Sequence, residues 1–184
     1  ASPQKAEVLF EVVIPSSLPE NTRMQVEVLD DVTGLAFNPS RIDMVQKDAR
    51  TFYAKSSSTL HSVVKYRYLK VNQTTSTELD SKGQQVRFRV LVVDAPVVVN
   101  DIIAGWQDEP YKGAVGTVEG QLVEKANNTP LPNQLVTIQG IQAITASDGS
   151  FTLTGVTPGL HNLTVIALDG AYQPLQQGAV VSEN

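Results

Sequence analysis

Apolar residues recur along this chain at every second position, and no segment repeats them at the three-to-four spacing of a helix. Val8, Phe10, Val12 and Ile14 alternate until Pro15 ends the run. Met24, Val26 and Val28 alternate with Arg23, Gln25 and Glu27. In the long segment 60–71, Val64, Tyr66 and Tyr68 share one face, while Lys65, Arg67 and Leu69 share the other. Val86, Phe88, Val90 and Val92 repeat the pattern across 85–93. A period of two puts successive side chains on opposite faces of an extended backbone. Each of these segments is therefore a half-buried strand. Shorter strands are expected at 42–45, 51–54, 77–80 and 97–103. Residues 1–7 are expected to be loose, Ser56–Ser58 to be a connector and 72–76 a polar turn.

Beyond residue 113 the punctuation is as informative as the alternation. Ser147-Asp148-Gly149-Ser150 is a turn signal, because Asp bonds its own backbone and Gly accepts positive φ. After it, Phe151 and Leu153 point one way, and Thr152 and Thr154 the other. Pro158-Gly159 reverses the chain into a strand with Leu163, Val165 and Ala167 on its apolar face, and Asp169-Gly170 closes that strand. Strands are also expected at 115–123, 135–138 and 175–181. The polar stretch QDEPYKG at 107–113 lies between two strand-rich halves and reads as a boundary. The expected architecture is all-β: two tandem antiparallel β-sandwiches, 1–109 and 110–184.

Composition narrows the function. A net charge of −5 gives no basic face for phosphates, so no nucleic-acid partner is expected. No apolar stretch is long enough to span a bilayer as a helix, and no direct membrane insertion is expected. The absence of cysteine excludes disulfides, thiolate metal sites and a cysteine nucleophile. The chain opens at Ala1 rather than Met and reads as a mature or trimmed form, expected outside the cytoplasm, secreted or at the cell surface.

Two resemblances follow from particular residues. The Asp148-Gly149-Ser150-Phe151 turn, the Val156-Thr157-Pro158-Gly159 corner and the Asp169-Gly170-Ala171-Tyr172 ending, preceded by PLPNQLVTI, resemble the carboxypeptidase regulatory-like domains over 113–184. That resemblance implies a transthyretin-like sandwich and no activity. Over 6–108 the chain resembles the starch-binding carbohydrate-binding modules of family 20. The residues concerned are Asn38-Pro39 and Met44, VKYRYLK at 64–70, Glu78, VRFRV at 86–90 and Asp101 to Trp106. This second resemblance implies an immunoglobulin-like sandwich that binds polysaccharide, a starch-like glycan, through Phe37, Tyr66, Arg67 and Glu78. It also implies that Trp106 packs against the core. The family carries tryptophans where this chain has Phe37 and Leu79.

No catalytic group is expected. His61 and His161 lie far apart in sequence without a cluster of acids, and no paired carboxylates stand out for glycoside hydrolysis. Asp30, Asp31 and Asp43 lack the spacing of a calcium loop, so neither a metal nor any cofactor is expected. The N-x-T triplets at Asn72, Asn127 and Asn162 read as chance in a chain rich in Asn and Thr. The expected function is a non-catalytic extracytoplasmic module that binds polysaccharide. The alternative is a structural spacer or adhesion segment of a larger secreted or surface-anchored protein, whose partners are its neighbouring domains. Burial of Phe37, Phe52, Tyr53, Tyr66 and Tyr68 separates the two, since sugar stacking needs exposed rings.

Overall fold

A computed structural model describes residues 1–29 and 39–184. Every regular element among them is a β-strand, fifteen in all and no helix: β1 (Lys5–Val13), β2 (Arg23–Val28), β3 (Ser40–Asp43), β4 (Val45–Gln46), β5 (Thr51–Thr59), β6 (Ser62–Val71), β7 (Thr75–Thr77), β8 (Arg89–Val93), β9 (Val97–Ile102), β10 (Gly116–Gln121), β11 (Gln134–Ile138), β12 (Ile141–Ile144), β13 (Ser150–Val156), β14 (Gly159–Ala167) and β15 (Leu175–Val181). Asp30, Asp31, Phe37 and Asn38 lie outside the described residues.

Two sheets form from the first nine strands. One has the order β4-β5-β1-β9. The other has β3-β2-β6-β7, with β8 also on β6. The alternation puts Val8, Phe10, Val12 and Ile14 of the first sheet against Met24, Val26, Tyr66 and Tyr68 of the second. Trp106 is 1% exposed in this cluster, the core position expected of it. The remaining strands form the sheets β10-β13 and β12-β11-β14-β15, which share a smaller cluster of Val136, Ile138, Leu153, Val156, Leu163, Val165 and Val181.

Several local expectations change. Lys5 to Glu7 belong to β1 and are not loose. Ser56–Ser58 continue β5, opposite Val8, Glu7 and Ala6, so the strand turns only at Leu60-His61. His61 takes a left-handed φ of 62° there. The strand expected at 42–45 breaks at buried Met44, where β3 pairs with β2 and β4 with β5. The chain thus changes sheets in one residue. The turn expected at 72–76 is shorter, since β7 starts at Thr75. Only the end of the 85–93 segment is strand. In β8 every residue is buried: Leu91 and Val93 join the first cluster, while the free backbone edge at Val90 and Val92 meets Asn162 and Gln176 of the second half. All strand pairs are antiparallel except β1 and β9, which run parallel from Val8↔Val97 to Val13↔Ile102.

Candidate functional site

Among the described residues, chemistry-bearing side chains converge in an ionic hub inside the first half, close to the second. Tyr66 and Tyr68 enter it from β6, which projects alternate residues inward. Glu78 comes from the segment after β7, Arg89 from the start of β8 and Asp101 from β9. Arg89 Nη2 donates to Glu78 Oε1 at 2.7 Å, and its Nε lies 3.2 and 3.1 Å from the two Glu78 oxygens. Arg89 Nη1 lies 3.3 Å from Asp101 Oδ1. Asp101 Oδ2 accepts from both tyrosine hydroxyls, at 2.6 Å from Tyr66 and 2.7 Å from Tyr68. Glu78 Oε2 also accepts the Tyr68 backbone N–H at 3.0 Å. The Arg89 guanidinium stands 5.4 Å from the centre of the Tyr68 ring.

Burial shapes the electrostatics of these groups. It works against charge on Arg89, but the adjoining Glu78 and Asp101 carboxylates outweigh it and raise the guanidinium pKa above its ordinary value. Burial, followed by the Asp101 charge, pushes both tyrosine hydroxyls well above the usual phenol range, so they act as fixed donors. The hub is thus a satisfied buried network, the condition under which buried charges are tolerated. A space of about 10 Å³ lies beside it, the lower limit for one water, and its lining includes Tyr66, Arg89, Asp101 and Gln139.

The hub reaches the second half through backbone. Arg89 Nη2 donates to Ile102 O at 2.8 Å, and the same oxygen accepts Gln139 Nε2 at 3.1 Å. Gln139 and Gly140 form the two-residue turn between β11 and β12, with φ of 51° and 75°. The Gln139 side chain also holds Thr157: its Oε1 accepts the Thr157 N–H at 3.0 Å, and its Nε2 donates to Thr157 Oγ1 at 2.8 Å. A second amide, Gln176 on β15, takes the Val92 N–H at 2.8 Å and returns a bond to Val92 O at 3.3 Å. It acts as a strand partner for β8. Asn162 Nδ2 reinforces it, 3.2 Å from Gln176 Oε1. His161 lies between these clamps, 3% exposed, with its Nε2–H donating to Thr157 O at 2.6 Å. Burial lowers its pKa.

The four residues expected to bind glycan do not share a surface. Phe37 lies outside the described residues. Tyr66 is 1% and Glu78 0% exposed, a correction to their expected role, because both are committed to the hub. Arg67 points to the opposite side of β6. There its Nε donates to Glu27 at 2.8 Å, and Arg41 Nε donates to the same carboxylate at 2.8 Å. The Glu27 side chain is fully covered, so this Arg–Glu–Arg row is internally paired. Among the other rings, Phe52 and Tyr68 are buried and Tyr53 is half-buried. Asp43 is exposed and bonded to Gln25 and Arg23. Among the described residues no group of acids or histidines is arranged to hold a metal ion.

Sequence reasoning misses Arg89, Gln139, His161 and Gln176. Arg89 looks like the solvent side of an alternating strand, and only the burial of both faces of β8 reverses that reading. Asp101 carries a faint signal, an acid inside a mostly apolar strand.

No protein-family model and no curated protein sequence matches the chain. Among solved structures, a glycoside hydrolase family 15 glucoamylase from Hypocrea jecorina is similar over 58% of this chain and 18% of its own, with 19% identity and a TM-score of 0.42. A leucine-rich repeat protein from Bacteroides thetaiotaomicron is similar over 98% of this chain and 25% of its own, at 10% identity and TM-score 0.34. A Streptococcal ancillary pilin is similar over 95% of this chain and 58% of its own, at 12% identity and TM-score 0.28. The chain therefore spans less than two thirds of each of these structures.

Proposed function

We propose that the chain is a non-catalytic structural spacer, a stiff two-core segment of a larger secreted or surface-anchored protein. The observation that supports this reading is the junction, where side-chain amides replace strand partners. Gln176 completes β8, and Gln139 links Ile102 to Thr157. The connecting stretch is held as well. Trp106 and Glu109 exchange two backbone bonds at 3.0 Å, and Asp108 accepts from Lys70 at 2.8 Å. Glycan stacking needs rings with a free face, whereas Phe52, Tyr66, Tyr68 and Trp106 are enclosed. The reading as a non-enzyme is supported by Glu78 and Asp101, whose oxygens already accept from Arg89, the Tyr68 N–H and two hydroxyls.

The cysteine-free chain makes the test clean, because Lys55→Cys and Lys125→Cys add one spin-label site to each half at exposed positions. Pulsed electron spin resonance is expected to give one narrow distance distribution. Adding Gln139→Ala and Gln176→Ala is expected to broaden it. A broad distribution in the otherwise unaltered chain would show a hinge and end the spacer reading. Calorimetry with maltoheptaose at about 1 mM, the range of a weak contact, is expected to show no saturable heat. A saturable isotherm would restore the polysaccharide reading.

A further inference from the structure

The sheets of the second half meet closely on one side and stand apart on the other. On the first side, β12 runs into β13 through a tight turn, with Ala146 N–H bonded to Ser150 O at 2.8 Å. On the second side, β10 and β15 face each other with no strand between them among the described residues. Each is a sheet edge, since β10 pairs only with β13 and β15 only with β14. Between them lies a cleft of about 770 Å³. Its floor is apolar, built from Val118, Phe151, Leu163 and Val165, and its exposed rim carries Glu119 and Glu183.

The β10 edge is ready to take a strand. Leu122 N–H turns inward to Gly149 O. Backbone groups alternate along a strand, so those of Thr117, Glu119 and Gln121 face the cleft. One end of this edge already accepts main chain: Asn184 N–H donates to Val115 O at 3.1 Å, and Asn184 Nδ2 to Thr117 Oγ1 at 3.0 Å. Edge strands are commonly protected by lysine or proline, and neither β10 nor β15 contains either residue.

We propose that this cleft docks an extended, basic segment of a partner protein by strand addition to β10. Alternate apolar side chains of that segment rest on Val118, Phe151, Leu163 and Val165, and a lysine or arginine meets Glu119 or Glu183. The charge of the rim selects this occupant. A second copy of the chain, at net −5 and with the same acidic rim, brings like charges together. The proposal goes beyond the spacer reading and does not depend on it, because the cleft is formed by the second half alone.

The test is a titration of the isotope-labelled full chain with the end-blocked peptide KVTVTVK, followed by amide chemical shifts and hydrogen exchange. The expected result is saturable shifts at residues 115–122 and 175–184 and at the floor residues Phe151, Leu163 and Val165. Exchange at Glu119 and Gln121 slows by about tenfold or more as their N–H groups become paired. The acidic peptide EVTVTVE is expected to bind at least about tenfold more weakly, and Glu119→Lys with Glu183→Lys to reverse that preference. Glu119→Pro, which removes an outward N–H and leaves the β13 side intact, is expected to abolish binding. The charge-reversed variant supplies the test should the proline variant misfold. Absence of shifts at about 1 mM peptide, equal binding of the two peptides, or unchanged binding to folded Glu119→Pro overturns the proposal. So does a concentration-dependent dimer that protects these same amides without peptide.

Discussion

Glu78 holds Arg89 with one oxygen and shares the other between Arg89 and the Tyr68 backbone. Glu78→Gln keeps an acceptor for Tyr68 but removes half of the negative charge facing Arg89. Breaking one partner out of a buried ion pair costs about 3–5 kcal/mol, and urea unfolding is expected to show a loss of that order. The double change Glu78→Leu with Arg89→Met leaves the Asp101 carboxylate buried without its cation and the Tyr68 N–H without its acceptor, and is expected to cost more than Glu78→Gln, which still leaves Arg89 facing Asp101. His161 gives a pH signature. Its folded pKa lies below the ordinary value of 6.5, so the unfolded chain takes up the proton more readily. Stability is complete above 6.5 and falls as pH drops through 6.5 toward the lower folded value. Thermal melts of the chain and of His161→Gln are expected to diverge in that window, with the unaltered chain losing more on acidification.

At the scale of elements, the two-residue turn between β11 and β12 joins the halves. Gly140 has φ +75°, and a Cβ there would stand 2.5 Å from Val86 Cγ1. Gly140→Ala is expected to cost about 1–3 kcal/mol from backbone strain alone, measured by denaturant midpoint. Gln176→Ala strands the buried Val92 N–H and is expected to cost about 1–3 kcal/mol. Strands such as β1, β2 and β14 are legible in the sequence because one face is apolar and the other is not. The tail of β5 is hidden because serines show no apolar alternation. β8 misleads because both of its faces are buried, so the residues that alternate with Val90 and Val92 are covered as well. The hub is illegible for a related reason. Tyr66 and Asp101 lie 35 residues apart, and nothing local to either marks it as the other's partner. The turn at Gln139-Gly140 hides as well, since glutamine rarely accepts the positive φ of 51° found there.

Across the whole molecule, the amide clamps and the hub tie two hydrophobic clusters to one boundary. Calorimetry is expected to show a single unfolding transition for the chain and two for the Gln139→Ala, Gln176→Ala pair, as the smaller cluster loses its support. The parallel register between β1 and β9 bears on biosynthesis. β1 lies in the middle of its sheet, with β5 on one flank and β9 on the other. β1 leaves the ribosome well before β9 and thus finds this neighbour only when Val97–Ile102 has been translated. Contacts this distant in sequence delay folding until the loop between them can close. Nascent chains stalled before that point are expected to remain protease-sensitive, and protection is expected to appear abruptly once β9 clears the exit tunnel.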